Sequence, residues 1–376
     1  MSYPAKKIAI LTAAALLLCS CSSSGPEIVD HGLPGAEHAE VIATVHTQPL
    51  DSVPEEQIVA AAAAVLLPEK TTAADAVPIS ADLLAVSGAE ETTAAAYTSA
   101  NSYLLALSSS SPKYAYEQQK SNGSLSILGP NLVYIGESFD FGISFPDADK
   151  DTDIMWTVLG SAGKIGKNGR FTALSKSVCT IIATDKKTGV YSTMRVHCIE
   201  NADDVDFIPL VNGIPIANKT YPLPKDYDPG LDATARAAFL RLQADAKKDG
   251  LNIYPISAYR SYSYQQKVYS GWVSMYGSDA DLVSARPGYS EHQLGLAIDV
   301  NSLEYSFEST PEGKWLRNHC ADYGYIIRYP SQAAQKYTGY SFEPWHIRYV
   351  GKELAKKVMS SGKTLEETLG IDSYYR

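Results

Sequence analysis

In Ala285-Arg286-Pro287-Gly288-Tyr289-Ser290-Glu291-His292-Gln293-Leu294-Gly295-Leu296-Ala297-Ile298-Asp299-Val300, a histidine and an aspartate stand seven residues apart with a glycine between them. Regular backbone keeps such a pair separated. Seven residues of strand span about 23 Å, and seven of helix about 10.5 Å. For His292 and Asp299 to meet, the chain must turn between them, and Gly295 is the residue best able to do that. Leu296 to Val300 then reads as a strand that delivers Asp299.

A second stretch, Phe342-Glu343-Pro344-Trp345-His346-Ile347-Arg348-Tyr349-Val350-Gly351, offers another acid and another histidine. On a regular strand Glu343 and His346 point to opposite faces, because their spacing is odd. Pro344 cannot donate to a ladder and prefers a turn or a strand start. The expectation is a bend at Pro344-Trp345 that brings both side chains to one side, with a strand from Ile347 to Val350 after it. Two histidines and an aspartate are a ligand set for a catalytic zinc, which keeps one position open for water. His292, Asp299 and His346 supply that set, and Glu343 would sit beside the ion as a general base rather than as a ligand. Upstream, Leu231 to Lys248 reads as a helix: Leu231, Ala235, Ala238, Phe239 and Leu242 recur at three and four, and Gly250 follows as a stop. His319, in Asn318-His319-Cys320, falls on a further helix and reads as structural, with Cys320 a buried thiol. Arg286 and Arg348 also read as structural.

Ser290, His292, Asp299, Glu343 and His346 fill a Ser-x-His-x6-Asp and Glu-x-x-His pattern without a departure. The pattern resembles that of the VanY-type D-alanyl-D-alanine carboxypeptidases, members of the LAS group of zinc peptidases. The likeness extends over most of residues 205–376, including Tyr221-Pro222-Leu223-Pro224 and the Tyr259-Arg260-Ser261 segment. It implies an α+β domain at 203–376, an antiparallel sheet with flanking helices. It also implies Zn2+ on His292, Asp299 and His346, with Glu343 as the catalytic base. Arg260 would stabilise the reacting carbonyl, and Gln265 and Ser290 would help hold the substrate. The implied reaction removes the terminal D-alanine from peptidoglycan stem peptides. An L,D-carboxypeptidase, a peptidoglycan endopeptidase and a D-Ala-D-Ala dipeptidase remain open within the same class. A surface adhesin with an inactive peptidase fold is the reading outside it, and the intact ligand set and Glu343 speak against that.

Toward the amino terminus the texture changes. Residues 127–202 carry short alternating stretches. Asp153 to Val158 reads as a strand, and Val178 to Thr184 with Val190 to Cys198 reads as a hairpin around Asp185-Lys186-Lys187-Thr188-Gly189. Pairing Asp185 with Val190 sets Cys179 opposite Val196 and leaves Cys198 diagonal to it. That leaves a disulfide and two buried thiols as alternatives. Trp156, Asn168-Gly169 and Phe171-Thr172-Ala173 resemble bacterial Ig-like (BIG) domains, which implies a small all-β sandwich. Residues 22–126 are rich in Ala, Ser, Thr and Glu and read as a disordered stalk. Residues 26–126 hold 13 acidic and 3 basic side chains. At the start, Lys6 and Lys7 precede the apolar run Ile8 to Leu18, the layout of a secretory signal. That run ends in Leu18-Cys19-Ser20-Cys21, which resembles a bacterial lipobox and implies a lipid on Cys21. Residues 1–21 would be the signal peptide, and the protein an extracytoplasmic monomer tethered to the membrane.

Composition agrees with this division. The whole chain is 45% hydrophobic and 20% charged, ordinary for globular protein and unlike a polytopic membrane protein or a wholly disordered chain. Its formal net charge is −10, so no basic surplus points to nucleic acid.

Overall fold

The computed structural model describes Tyr114 and residues 118–376. Cys21, the signal segment and almost all of the expected stalk lie outside the described residues. What is described divides into an amino-terminal β unit and a carboxyl-terminal α+β unit.

The β unit contains ten strands, several of them short: β1 (Lys120–Ser121), β2 (Ser126–Leu128), β3 (Leu132–Tyr134), β4 (Ser138–Asp140), β5 (Gly142–Ser144), β6 (Ile154–Leu159), β7 (Gly163–Ile165), β8 (Arg170–Ala173), β9 (Ser177–Asp185) and β10 (Tyr191–Ile199). The main sheet runs β1-β10-β9-β6, with β3 parallel to β10. Smaller sheets, β4-β8-β7 and β2-β5, complete the unit. All contribute to one core that includes Ile127, Val133, Phe171, Ile181 and Val196. The hairpin register is as expected, with Thr184 opposite Tyr191 and Cys179 opposite Val196. Cys179 and Cys198 both face this core as free thiols. One boundary is corrected. The unit begins before Lys120, not at residue 127, because β1 adds an edge to β10. Both β1 residues are exposed and polar, so no hydrophobic alternation marks that strand.

The carboxyl-terminal unit is built on a four-stranded antiparallel sheet. Its order is β13-β14-β16-β15, after a small ribbon of β11 (Leu210–Val211) and β12 (Ile214–Pro215). The sheet strands are β13 (Pro255–Ser257), β14 (Ala297–Val300), β15 (Tyr325–Tyr329) and β16 (Glu343–Tyr349). The helices are α1 (Ala233–Lys248), α2 (Tyr262–Tyr276), α3 (Pro311–His319), α4 (Gln335–Thr338), α5 (Lys352–Ser361) and α6 (Leu365–Leu369). Asp232 caps α1 by accepting from the Ala235 N–H at 2.8 Å. The helix buries Ala235, Ala238, Phe239, Leu242 and Ala246, a stripe at three- and four-residue intervals. That stripe joins Ile298, Val300, Tyr325, Ile327, Ile347 and Tyr349 of the sheet in one core. Side chains alternate along a strand, so the residues between these point to the other face. They include Asp299, Arg328, His346 and Arg348. One face of the sheet is therefore an apolar floor on α1, and the other carries ionisable groups.

Candidate metal centre and its supports

Asp299 on β14 and His346 on β16 are direct cross-strand partners, so their side chains rise together from one face. His346 Nδ1 lies 3.1 Å from Asp299 Oδ1. His292 comes from outside the sheet, on the short 3-10 turn Glu291–Leu294. The Ser290 hydroxyl caps that turn, accepting from the His292 N–H at 3.3 Å. Gly295 ends it at φ 72°, and a Cβ there would fall 2.1 Å from the Gly230 carbonyl oxygen. The glycine is thus needed both for the turn and for a close backbone approach. His292 Nδ1 is hydrogen-bonded to the Ala258 carbonyl oxygen just beyond β13, so that nitrogen carries the proton. Nε2 is left with its lone pair, 3.3 Å from Asp299 Oδ2.

One ligand atom from each of His292, Asp299 and His346 lies within 4.8 Å of the other two. His292 Nε2 and Asp299 Oδ1 are buried and make no hydrogen bond in the protein. Such atoms cost about 1–3 kcal/mol each when nothing satisfies them. A tetrahedral Zn2+ binds imidazole nitrogen and carboxylate oxygen at roughly 2.0–2.2 Å and leaves a fourth position for water, so the donor set fits that ion. At His292 and Asp299 the electrostatics suit it too, whereas Asp299 and Glu291 outweigh burial at His346 and raise it to about 9, so that a metal there displaces a proton. Burial and the neighbouring Arg260 cation hold His292 down to about 4, leaving it a neutral ligand. Burial alone would raise Asp299, but His292 and His346 hold its carboxyl well below the usual carboxylate range.

Glu343 Oε2 stands 3.6 Å from His346 Nδ1, so the odd spacing is overcome as required, though not by the expected means. The strand does not start at Ile347. It begins at Glu343, and its pairing with β15 is irregular there: Ile327 pairs with Ile347 but Tyr329 with Glu343, so four steps along β16 face two along β15. Neither neighbouring strand pairs with Pro344, so its missing N–H breaks no ladder bond. Burial pushes the Glu343 carboxyl up to about 7, Asp299 adding to the effect while His346 and Arg260 oppose it. A base with that affinity is matched to proton transfer near neutral pH.

Of the remaining expected residues, Arg260 reaches this centre. Arg260 places Nη1 3.9 Å from Asp299 Oδ2, and its side chain is 20% exposed. Its backbone N–H donates to the His292 carbonyl at 3.2 Å. Gln265 is fully buried on α2, where Nε2 donates to the Ser284 hydroxyl at 3.2 Å and the Ala285 carbonyl at 2.7 Å. Oε1 has no partner in the protein. Gln265 and Ser290 both brace the loop that leads into His292. His319 closes α3, its Nδ1 on the Trp315 carbonyl at 2.8 Å, and Arg286 pairs with Asp281 at 2.8 Å.

The family described as VanY, D-alanyl-D-alanine carboxypeptidase, matches residues 228–352, the span that holds Arg260, the three ligands and Glu343. A putative carboxypeptidase of Bacillus subtilis (strain 168), YodJ, is 32% identical over 240 residues, covering 55% of this chain and 88% of that protein. The chain belongs to the VanY family. Among solved structures, LdcB, described as an LD-carboxypeptidase that reveals the molecular basis of peptidoglycan recognition, is 45% identical. It covers 43% of this chain and 89% of its own, with a TM-score of 0.39. A mutant of the vancomycin-resistance D,D-pentapeptidase VanY from a VanB-type resistance cassette, in complex with Zn(II), is 34% identical. It covers 41% of this chain and 97% of its own, with a TM-score of 0.36.

Within this VanY-family domain one group near the centre was not anticipated. Glu291, the residue between Ser290 and His292, turns away from the pocket and is buried. Its Oε1 accepts from Arg328 Nε at 2.8 Å and Arg348 Nη1 at 2.9 Å. Arg328 also donates to both oxygens of Glu366. Burial alone would raise the Glu291 carboxyl, but Arg328 and Arg348 hold it below the usual range. The signal available in the sequence was only a charged side chain set between Ser290 and His292. Its partners, scattered from Arg328 to Glu366, gave no spacing to read.

Proposed function

We propose that this chain is a zinc D,D-carboxypeptidase that removes the terminal D-alanine from peptidoglycan stem peptides. The observation that carries this is the convergence of His292, Asp299 and His346 within 4.8 Å, with Glu343 3.6 Å from His346. The three residues would hold Zn2+, which when bound acidifies a water and polarises a carbonyl. Glu343 takes the proton of the attacking water and returns it to the leaving amine of D-alanine. The Arg260 guanidinium, reaching the same pocket with part of its surface open, donates to the carbonyl oxygen as negative charge builds there. Preorganised donors of this kind supply a large part of catalysis. Ser290 and Gln265 support the substrate wall from behind: Ser290 through its cap on the His292 turn, Gln265 through its hydrogen bonds to Ser284 and Ala285.

The protein would work outside the cytoplasm as a monomer, tethered by a lipid on Cys21, with the stalk expected over residues 22–126 acting as a spacer as far as Tyr114, which packs in the carboxyl-terminal core. Leu18-Cys19-Ser20-Cys21 supports the anchor, and several acyl chains hold where one does not, at about 0.8 kcal/mol per buried CH2. The packing of the β unit's sheets around a shared core supports an Ig-like module.

The test is incubation of zinc-loaded residues 118–376 with penta- and tetrapeptide stems, followed by weighing of the products. Loss of one alanine from the pentapeptide is expected. Shortening of the tetrapeptide alone would replace D,D with L,D specificity, and no cleavage of either would overturn the assignment.

A further inference from the structure

Each histidine of the triad has a second ring nitrogen that needs a partner. For His292 it is Nδ1, on the Ala258 carbonyl. His346 is the reverse case, because its Nδ1 faces Asp299 and Glu343. Its Nε2 is buried and makes no hydrogen bond. The group opposite is Glu291 Oε2, 3.6 Å away, also buried and also without a hydrogen bond. Glu291 cannot be aimed elsewhere, since Arg328 and Arg348 fix its other oxygen from two strands.

We propose that Glu291 is a positioning residue for the metal centre: it accepts from His346 Nε2–H, fixes the tautomer that leaves Nδ1 free to bind metal, and so sets the zinc affinity. This rests on the proposed ligand role of His346. The short turn 291–294 then does two jobs, delivering one ligand directly and orienting another through its preceding residue. An imidazole offered to a metal through one nitrogen must keep its proton on the other. A carboxylate acceptor fixes that choice and raises the ligand's basicity, and loss of such a partner typically weakens metal binding about 10–100-fold.

The experiment measures zinc affinity by chelator competition for wild type, Glu291→Gln and Glu366→Gln, each checked for folding by circular dichroism. Glu366→Gln removes charge from the same arginine network without facing His346, and so separates positioning from general loss of support. At least tenfold weaker zinc binding is expected for Glu291→Gln, with Glu366→Gln near wild type. A folded Glu291→Gln protein that binds like wild type overturns the role, as does an equal loss in Glu366→Gln. Nitrogen NMR of the zinc-loaded wild-type protein gives a readout that needs no variant to fold. His346 should show a protonated Nε2 and a metal-bound Nδ1, and the opposite pattern overturns the proposal. A wild-type chain that takes up no zinc would instead remove the ligand assignment and this role together.

Discussion

Replacing Glu343 with glutamine preserves the side chain's length and shape and removes its basicity. Glu343 is not among the converging ligands, so the Glu343→Gln protein should hold zinc as wild type does. Proton transfer by a positioned base contributes about 10²–10⁴-fold, and turnover should fall by at least that much. Metal analysis beside steady-state kinetics checks both; parallel loss of zinc would make Glu343 a ligand, and activity within a few-fold would place the base elsewhere. Without a cation its carboxyl is held near about 7. A neighbouring cation favours the ionised form, so the acid limb of kcat/KM belongs below that value, activity falling as the base is protonated. The convergence of His292, Asp299 and His346 was legible in the sequence because chemistry restricts the residue types of a ligand set and the turn and pairing restrict their spacing. Glu291 was not legible, because its role depends on Arg328, Arg348 and Glu366, which only the folded sheet brings to it.

At the scale of elements, the local rules worked where one period governs a segment. Helix α1 and the β9–β10 hairpin follow from periodicity and turn chemistry alone. They failed where two strands share an irregularity. Pro344 signalled a break, but a register shift lets β16 run through it, and that shift is a property of the pairing with β15 rather than of either strand. The turn at Gly295 is the counter-example, since the distance from His292 to Asp299 demanded it. A non-glycine residue in left-handed conformation costs roughly 1–2 kcal/mol. At Gly295 the added Cβ would also meet the Gly230 oxygen at 2.1 Å. Gly295→Ala should therefore lower stability by more than the conformational cost, about 2 kcal/mol or more, and should weaken zinc binding by moving His292 against Asp299. Thermal unfolding and zinc titration read the two effects, and a variant with wild-type values for both would show that the turn is not what sets the pair.

At the scale of the whole molecule, the β unit is more than a spacer beside an independent enzyme. Leu132, Tyr134 and Ile199 of the β unit share a core with Val211, Ile216, Tyr221, Ile326, Val350 and Leu369 of the carboxyl-terminal unit. Asn131 stitches the seam. Its backbone N–H donates to the Leu210 carbonyl at 2.9 Å, its Oδ1 accepts from the Leu210 N–H at 2.7 Å and its Nδ2 donates to the Ile208 carbonyl at 3.1 Å. Across the same seam the Tyr134 hydroxyl donates to the Thr220 carbonyl at 3.0 Å, and Arg376 pairs with Glu137. Composition along the chain separates the two units but is blind to a shared core, because buried residues at a seam look like those of either interior. Cutting at 203 would leave the partner surface of three large side chains in water. Full burial of such a side chain is worth about 1.5–3 kcal/mol, so the loss is on the order of 5 kcal/mol, or roughly 10–20 °C in Tm for a unit of this size. Residues 118–376 should unfold in one transition, and residues 203–376 should melt well below it while retaining the ligand set. Calorimetry of the two fragments decides the matter: equal melting temperatures would mean that the seam contributes no stability.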